Sequence, residues 1–372
     1  MSAIKQNVAS LFADTRISAD VDADADADAD VLDRLGRPLR DLRLSVIDQC
    51  NFRCTYCMPR EVFPADYAFM PSADRLSFSQ MVKIARSFTS LGVEKIRITG
   101  GEPLLRRGLE ALVEQLAKLT TVSGKPLEIA ITTNGTLLAA KARALKDAGL
   151  SRVTVSLDAV DDAVFRRMSD TDVPVSRVLD GIEAASAAGL APVKVNAVVQ
   201  RGVNESQILP LVRLFKGTGV VVRFIEYMDV GGADFWSDAA VLTARQTRDM
   251  VESVFPLTPV EPGPGASTAV RYRHTDGGGE MGFIASVSQP FCGSCSRARV
   301  SADGQLYTCL FASRGTSLKP WLSESASEAQ LAQAIRLQWT GRADRYSELR
   351  ATARSNRQSQ RYPTVRMSLV GG

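Results

Sequence analysis

The sequence predicts an α/β fold, a partial (β/α)6-type TIM barrel followed by a C-terminal extension, on three observations. Six short runs rich in Val, Ile and Thr recur between residues 42 and 227. Helical patterns lie between them. The rhythm then breaks in a Pro/Gly-rich stretch, Val260-Glu261-Pro262-Gly263-Pro264-Gly265. Strands of this composition alternating with helices indicate a parallel sheet buried on both faces. Periodicity alone does not separate a barrel from a doubly wound sheet. The chain has 372 residues, 45% of them hydrophobic, enough for a large core and about two domains.

The expected divisions are an acidic N-terminal tail over 1–33, the barrel over 34–258 and the extension over 259–372. The tail carries Lys5 and Arg16 against eight aspartates, so it is −6 while the rest of the chain is +10. Val21 to Asp30 alternates Asp and Ala. Alanine buries little and the aspartates repel, so disorder is expected. Ile4, Val8, Leu11 and Phe12 have helical spacing, but a frayed terminus is the expectation there. The strand candidates are Leu42–Asp48, Lys95–Thr99, Glu128–Thr133, Arg152–Leu157, Val193–Val199 and Val220–Tyr227. Ser77-x-x-Gln80 and Asn204-x-x-Gln207 read as capping boxes. Gly92, Gly149, Gly189 and Gly219 follow helical runs, as left-handed C-caps do. In the extension, Ala302-Asp303-Gly304 reads as a hairpin turn and Ser325–Trp339 as a helix.

No apolar run has membrane-spanning length, and no charged start followed by an apolar core marks a secretory leader. A cytoplasmic, reducing location is therefore expected, where disulfides are rare. All six cysteines fall in two groups, Cys50, Cys54 and Cys57, then Cys292, Cys295 and Cys309. Grouping of this kind favours metal binding over bridges. The one histidine, His274, excludes Cys-His zinc fingers, His-Glu-x-x-His proteases and Ser-His-Asp triads. The basic body suits an anionic ligand, a nucleotide or nucleic acid, with diffuse solubilising charge as the plain alternative.

Cys50-x3-Cys54-x2-Cys57 directly follows the first strand candidate, where a barrel places its active site. Structural zinc wants four closed ligands. Three thiolates suit a [4Fe–4S] cluster with one iron open, and zinc is the alternative. Gly100-Gly101-Glu102-Pro103 follows the second strand. Its glycines permit close approach, and its carboxylate could accept from an ammonium group. Cys292-x2-Cys295 begins like a zinc ribbon but lacks a fourth cysteine. Arg297 and Arg299 follow on an extended segment, pointing the same way as a polyphosphate site would need. Arg43, Arg97 and Lys194 each interrupt an otherwise apolar strand, and a cation pointing into a barrel needs an anionic partner.

The cysteine loop with Tyr56 before its last cysteine, and the Gly-Gly-Glu-Pro turn, resemble the radical S-adenosylmethionine superfamily. Leu42-Arg43-Leu44-Ser45-Val46, Lys95-Ile96-Arg97-Ile98-Thr99, Thr132-Thr133-Asn134-Gly135, Val155-Ser156-Leu157-Asp158-Ala159, Arg223-Phe224-Ile225-Glu226-Tyr227-Met228 and the terminal Gly371-Gly372 narrow this. Together they resemble the MoaA family of GTP 3′,8-cyclases over nearly the whole chain after residue 33. Gln49 departs from the arginine common at that position, and the acidic extension is also atypical.

The resemblance implies two [4Fe–4S] clusters, one on each trio, with S-adenosylmethionine bound at the open iron of the first. Tyr56, Gly101, Glu102, Ser156 and Met228 would line the S-adenosylmethionine site. Arg43, Arg97, Thr132, Lys194, Arg297, Ala298 and Arg299 would contact GTP, and Gly371 and Gly372 would reach the reacting centre. Implied too are hydrogen abstraction at the ribose C3′ and attack on guanine C8. The product is (8S)-3′,8-cyclo-7,8-dihydroguanosine 5′-triphosphate, which opens molybdenum-cofactor synthesis. It would pass to a cyclic pyranopterin monophosphate synthase. An electron donor is required, a homodimer is allowed for, and neither nucleic acid nor membrane is expected as a partner. Two rivals stand beside this reading. A peptide-modifying maturase usually carries more C-terminal cysteines. A redox sensor binding nucleic acid would need a compact basic reading helix, which the sequence does not offer.

Overall fold

The computed structural model describes residues 30–230, 236–261, 263, 267–349 and 365–371. The Asp-Ala run up to residue 29 and the terminal Gly372 lie outside the described residues. Six parallel strands run β1 (Asp41–Ser45), β2 (Lys95–Thr99), β3 (Glu128–Thr133), β4 (Arg152–Ser156), β5 (Lys194–Val199) and β6 (Val221–Glu226). They neighbour one another in chain order, as in a barrel and not a doubly wound sheet. Between them lie helices α1 (Phe78–Thr89), α2 (Leu109–Ala117), α3 (Leu138–Asp147), α4 (Asp162–Ser169), α5 (Ser176–Ala187) and α6 (Ile208–Phe215). Leu42, Leu44, Ile96, Ile98, Ile129, Ile131, Val153, Val155 and Val195 are wholly buried and form the core. Alternate residues point to the opposite face, which becomes the site.

The sheet does not stop at the Pro/Gly-rich stretch. Beyond α7 (Ala244–Glu252) come β7 (Leu257–Pro259), β8 (Val270–His274), β9 (Glu280–Ile284), β10 (Arg297–Val300), β11 (Gln305–Tyr307) and β12 (Thr316–Ser317). Strand β9 pairs in parallel with β6, and β10 pairs in parallel with β1. The extension therefore adds three strands to each side of the six-stranded core, β10, β11 and β12 beyond β1 and β9, β8 and β7 beyond β6. Helix α8 (Glu328–Thr340) packs on α1, and the short α9 (Met367–Val370) reaches β1. Among the described residues no helix is long and apolar enough to cross a membrane.

Ser77 and Gln80 form the expected reciprocal capping box. Asn204 does not. Its amide donates to the carbonyls of Asp158 and Val198, both at 2.8 Å, so it braces a loop and leaves the helix uncapped. The assignment of residues 30–33 to a disordered tail is also corrected. Val31 and Asp33 are buried, and Asp33 lies at the centre of a polar network. One buried carboxylate with guanidinium partners outweighs the acidic composition around it.

Candidate active site

The first trio sits on the loop leaving β1. Cys57 N–H and Met58 N–H both donate to the Cys54 carbonyl at 2.9 Å, which curls the loop. Cys50 Sγ accepts from Phe52 N–H at 3.4 Å and lies 3.9 Å from Asn134 Nδ2. The Gly-Gly turn after β2 is welded to this loop. Gly101 N–H donates to Ile47 O at 2.8 Å and Glu102 N–H to Gln49 O at 2.9 Å. A Cβ on Gly101 would collide with the Gln49 carbonyl, so glycine is required by packing before any ligand is considered.

Glu102 corrects an expectation. Its carboxylate is 1% exposed and accepts from Leu104 N–H (2.9 Å), Thr133 Oγ1–H (2.8 Å) and Asn134 N–H (2.7 Å). Both oxygens are engaged within the protein, so this side chain fixes the loops and is not presented to an ammonium group. Burial raises its pKa to about 7 despite those donors. Tyr56 donates to Asp158 Oδ2 at 2.7 Å, and burial lifts Asp158 to about 6. Burial likewise pushes the Cys50 and Cys57 thiols up to about 12, with Glu102 and Asp158 respectively adding to the effect. Ser156 ends β4 beside Asn196 of β5.

The inner face of the sheet is a layer of cations. In register, Arg43 lies between Arg97 of β2 and Arg299 of β10. Lys194 pairs with Thr154, and Asn196 with Arg223 of β6. Arg97 Nη1 donates to Thr132 and Thr154 hydroxyls at 3.2 and 3.1 Å. Burial lowers every one of these cations and repulsion from neighbouring cations adds to it, although at Arg97 the Asp41 and Glu128 carboxylates work the other way. Arg43 falls well below its ordinary value through burial, Arg299 and Arg97. Lys194 falls to about 7 through burial, Arg223 and Arg152, and Arg223 falls to about 9. Arg299 falls to about 10 through burial and Arg297.

One cavity joins this layer to the second trio. Its lining includes Arg43, Arg97, Thr132, Arg223, Met228, Arg297 and Arg299 together with Cys292, Cys295 and Cys309. Of the residues expected to contact GTP, Lys194 and Ala298 are outside this lining. Ala298 has a plain reason. It is fully buried and pairs with Leu42, so its side chain belongs to the apolar core. Arg297 Nη2 lies 3.4 Å from Cys295 Sγ. Burial alone would raise the Cys295 thiol, but Arg297 and Arg342 bring it down to about 6. Cys309 is pushed up to about 11 by burial.

The C-terminal segment closes on the same place. Gly371 is buried with φ +69, and an added Cβ would collide with the Thr99 hydroxyl. Arg299 Nη1 donates to the carbonyls of Gly371 and Val370. Arg366, just before α9, lies 4.7 Å over the Phe63 ring and 5.5 Å over Tyr67, and donates to the Tyr67 hydroxyl at 2.6 Å. Arg53 stacks on Phe69 of that aromatic group and donates to the Cys50 carbonyl at 2.9 Å.

All six cysteines are free and partly buried. Among the described residues no three of His, Cys, Asp and Glu converge as a single metal ion would require. Three thiols with no fourth protein ligand suit a four-iron cluster, which spans more room than one ion. The N–H groups directed at Cys50 fit such a centre, since donors to sulfur tune its charge. Sequence reasoning missed Arg223, Asn196, Arg37 and Arg342. The inward phase of β5 and β6 could have found the first two. Nothing local marks the others.

A family model for the Radical SAM superfamily matches residues 44–215, and one for Molybdenum Cofactor Synthesis C matches residues 220–348. The GTP 3′,8-cyclase of Xanthomonas axonopodis pv. citri is 53% identical over 340 residues, covering 91% of this chain and 98% of that protein. The GTP 3′,8-cyclase of Staphylococcus saprophyticus is 46% identical over 344 residues, covering 92% and 99%. Among solved structures, Streptococcus suis SuiB bound to S-adenosylmethionine matches with a TM-score of 0.56 at 16% identity, covering 81% of this chain and 68% of that one. That likeness concerns the fold alone. Identity near one half, sustained over nine-tenths of both chains, settles the lineage: this chain belongs to the GTP 3′,8-cyclase family of radical SAM enzymes.

Proposed function

We propose that the basic chamber at the second trio is where this chain carries out the family's reaction, the 3′,8-cyclisation of GTP that begins molybdenum-cofactor synthesis. The observation that carries this is the cation layer itself. Arg97, Arg43 and Arg299 lie side by side on adjacent strands, Lys194 and Arg223 continue the layer, and burial lowers the protonation of each, with repulsion from neighbouring cations adding to it. A polyanion at that layer relieves the repulsion, and guanidinium forks suit phosphate oxygens.

Cys50, Cys54 and Cys57 would hold one [4Fe–4S] cluster with S-adenosylmethionine at its open iron, and Cys292, Cys295 and Cys309 a second. When bound, these groups supply the one-electron chemistry that removes hydrogen from the ribose C3′. The protein's own share is placement and exclusion of water. The arginines hold the triphosphate, so the nucleoside extends along the chamber. Arg299 also holds the Gly371 carbonyl, so phosphate binding and seating of the C-terminal segment share one side chain. Glu102 and Asn134 lock the Gly-Gly turn to the cysteine loop. An external electron donor is required, and the product goes on to a synthase that completes the pterin. We place the reaction in the cytoplasm and allow for a homodimer.

The test is anaerobic incubation of the reconstituted, reduced chain with S-adenosylmethionine and GTP. The expected result is 5′-deoxyadenosine together with a cyclised nucleotide of unchanged triphosphate content. Formation of 5′-deoxyadenosine at the same rate with and without GTP, and with no nucleotide product, would overturn the proposal.

A further inference from the structure

We propose that Arg37 and Arg342 are the charge partners of a cluster on the second trio, with Arg37 Nη2 and Arg342 Nε as hydrogen-bond donors kept for its sulfurs. This rests on the reading that Cys292, Cys295 and Cys309 hold a cluster.

The two arginines are 305 residues apart in sequence and meet on one carboxylate, which is buried with them. Arg37 Nε donates to Asp33 Oδ2 at 2.6 Å, and Arg342 Nη1 donates to the same oxygen at 3.2 Å. Asp33 Oδ1 is filled by the Leu35 and Arg37 backbone N–H groups at 2.9 and 3.0 Å. Each arginine then reaches the trio's backbone. Arg37 Nη1 donates to the Cys292 carbonyl at 2.8 Å, and Arg342 Nη1 to the Cys295 carbonyl at 2.7 Å. The Arg342 guanidinium is also held 4.5 Å over the Trp339 ring, while the Trp339 indole N–H donates to the Arg37 carbonyl at 3.1 Å. The pair is thus rigid, with exposures of only 2% and 4%.

Two features exceed a structural role. Arg37 Nη2 and Arg342 Nε are buried without a hydrogen-bond partner, although both residues line the cavity that holds the three cysteines. Buried donors are rarely left unmade, because desolvation is then uncompensated. The compensating charge is also uneven. Two buried guanidinium groups share one fully buried carboxylate, while the second carboxylate, Asp344, is partly exposed, pairs with Arg342 Nε only at 3.6 Å and accepts from the Thr308 hydroxyl; its backbone carbonyl accepts from Arg37 Nη1 at 2.8 Å. A doubly positive four-iron core on three thiolates carries one net negative charge. It also presents sulfurs that accept hydrogen bonds, and both properties set its potential. The arrangement therefore fits a cluster that must accept an electron: the added negative charge meets cations already in place.

The experiment titrates the reconstituted full chain with dithionite under anaerobic conditions, followed by electron paramagnetic resonance, with iron counted in parallel. A C50A/C54A/C57A chain identifies the second-cluster signal. In Arg342→Met the second cluster should become at least tenfold harder to reduce, about 59 mV for one electron, while the first is unshifted. Arg37→Lys and Arg342→Lys keep the charge but not the fixed N–H fork. They should shift the same signal, in the same direction, by less, and they serve if the methionine variant does not fold. Full iron content with an unshifted second cluster in these variants overturns the proposal. Loss of second-cluster iron, with no shift in the clusters that remain, also overturns it and leaves a purely structural role. A wild-type chain that holds only about four irons sinks the two-cluster reading beneath it, an outcome distinct from either.

Discussion

The two cysteine trios share a ligand count but not an environment. The first is set beside buried carboxylates, and burial, with Glu102 and Asp158 adding to it, raises the Cys50 and Cys57 thiols to about 12. The second is set among arginines, and Cys295 falls to about 6. Around the first trio the charge is mixed, with Arg53 and Arg60 beside Asp170 and Asp172 in the cavity at Cys50. At the second trio an anionic substrate meets Arg297 and Arg299. Under the function proposed above, the contrast assigns the triphosphate to the basic end, at the second trio, and leaves the first trio to S-adenosylmethionine.

The largest expected effects test that separation. Cys54→Ala should abolish S-adenosylmethionine cleavage and lose about half the iron, while GTP still binds. Cys295→Ala should leave cleavage measurable but abolish the cyclised nucleotide. If both variants lose cleavage and GTP binding alike, the two ends are not distinct. Next comes Gly371→Ala, where φ +69 and the Thr99 contact leave no room for a methyl group. Cyclised product should fall roughly a hundredfold through misplacement, with iron content and S-adenosylmethionine binding intact; a wild-type rate would remove the C-terminal segment from the site.

Lys194 gives a pH signature confined to the basic end. Its folded pKa, about 7, lies below the ordinary 10.5, so the ligand-free residue is neutral above pH 7. The unfolded chain then binds the extra proton, and ligand-free stability should rise with pH between about 7 and 10.5. Triphosphate favours the charged form, so GTP binding should take up a proton. Affinity should weaken by up to about tenfold per pH unit above 7. Calorimetry in buffers of different ionisation enthalpy measures the uptake, and Lys194→Met should abolish it; an unchanged uptake would clear Lys194 of the role. The smallest effect is expected from Arg366→Ala. An exposed cation–π contact is worth about 0.5–1 kcal/mol, so turnover should fall a few-fold, with deuterium exchange around Leu369 rising in step. Exchange unaltered by the substitution would mean that Arg366 does not seat the segment.

Strands β2 and β3 were legible to the residue, because β-branched runs bounded by glycine leave few other readings. The inward cations were legible for the same reason: Arg43, Arg97 and Lys194 each break an apolar pattern. What stayed hidden was non-local. No periodicity in β9 or β10 says that they flank β6 and β1. Arg37 and Arg342 read as ordinary surface charges until the fold brings them onto Asp33. Glu102 misled in the opposite way. A carboxylate beside two glycines looks like a ligand for a cation, yet three donors from its own chain claim it. Asn204 failed as a cap because two carbonyls nearby offered its amide a better use.

The central claim is that the arginines of the second end hold the triphosphate. The most direct measurement is GTP affinity, anaerobically, for the full chain and for the Arg297→Ala, Arg299→Ala double variant. Each charge-assisted contact is worth about 1.5–3 kcal/mol, so affinity should drop at least a hundredfold with the first-cluster signal unchanged. Equal affinity in the two proteins, at equal iron content, would contradict the account.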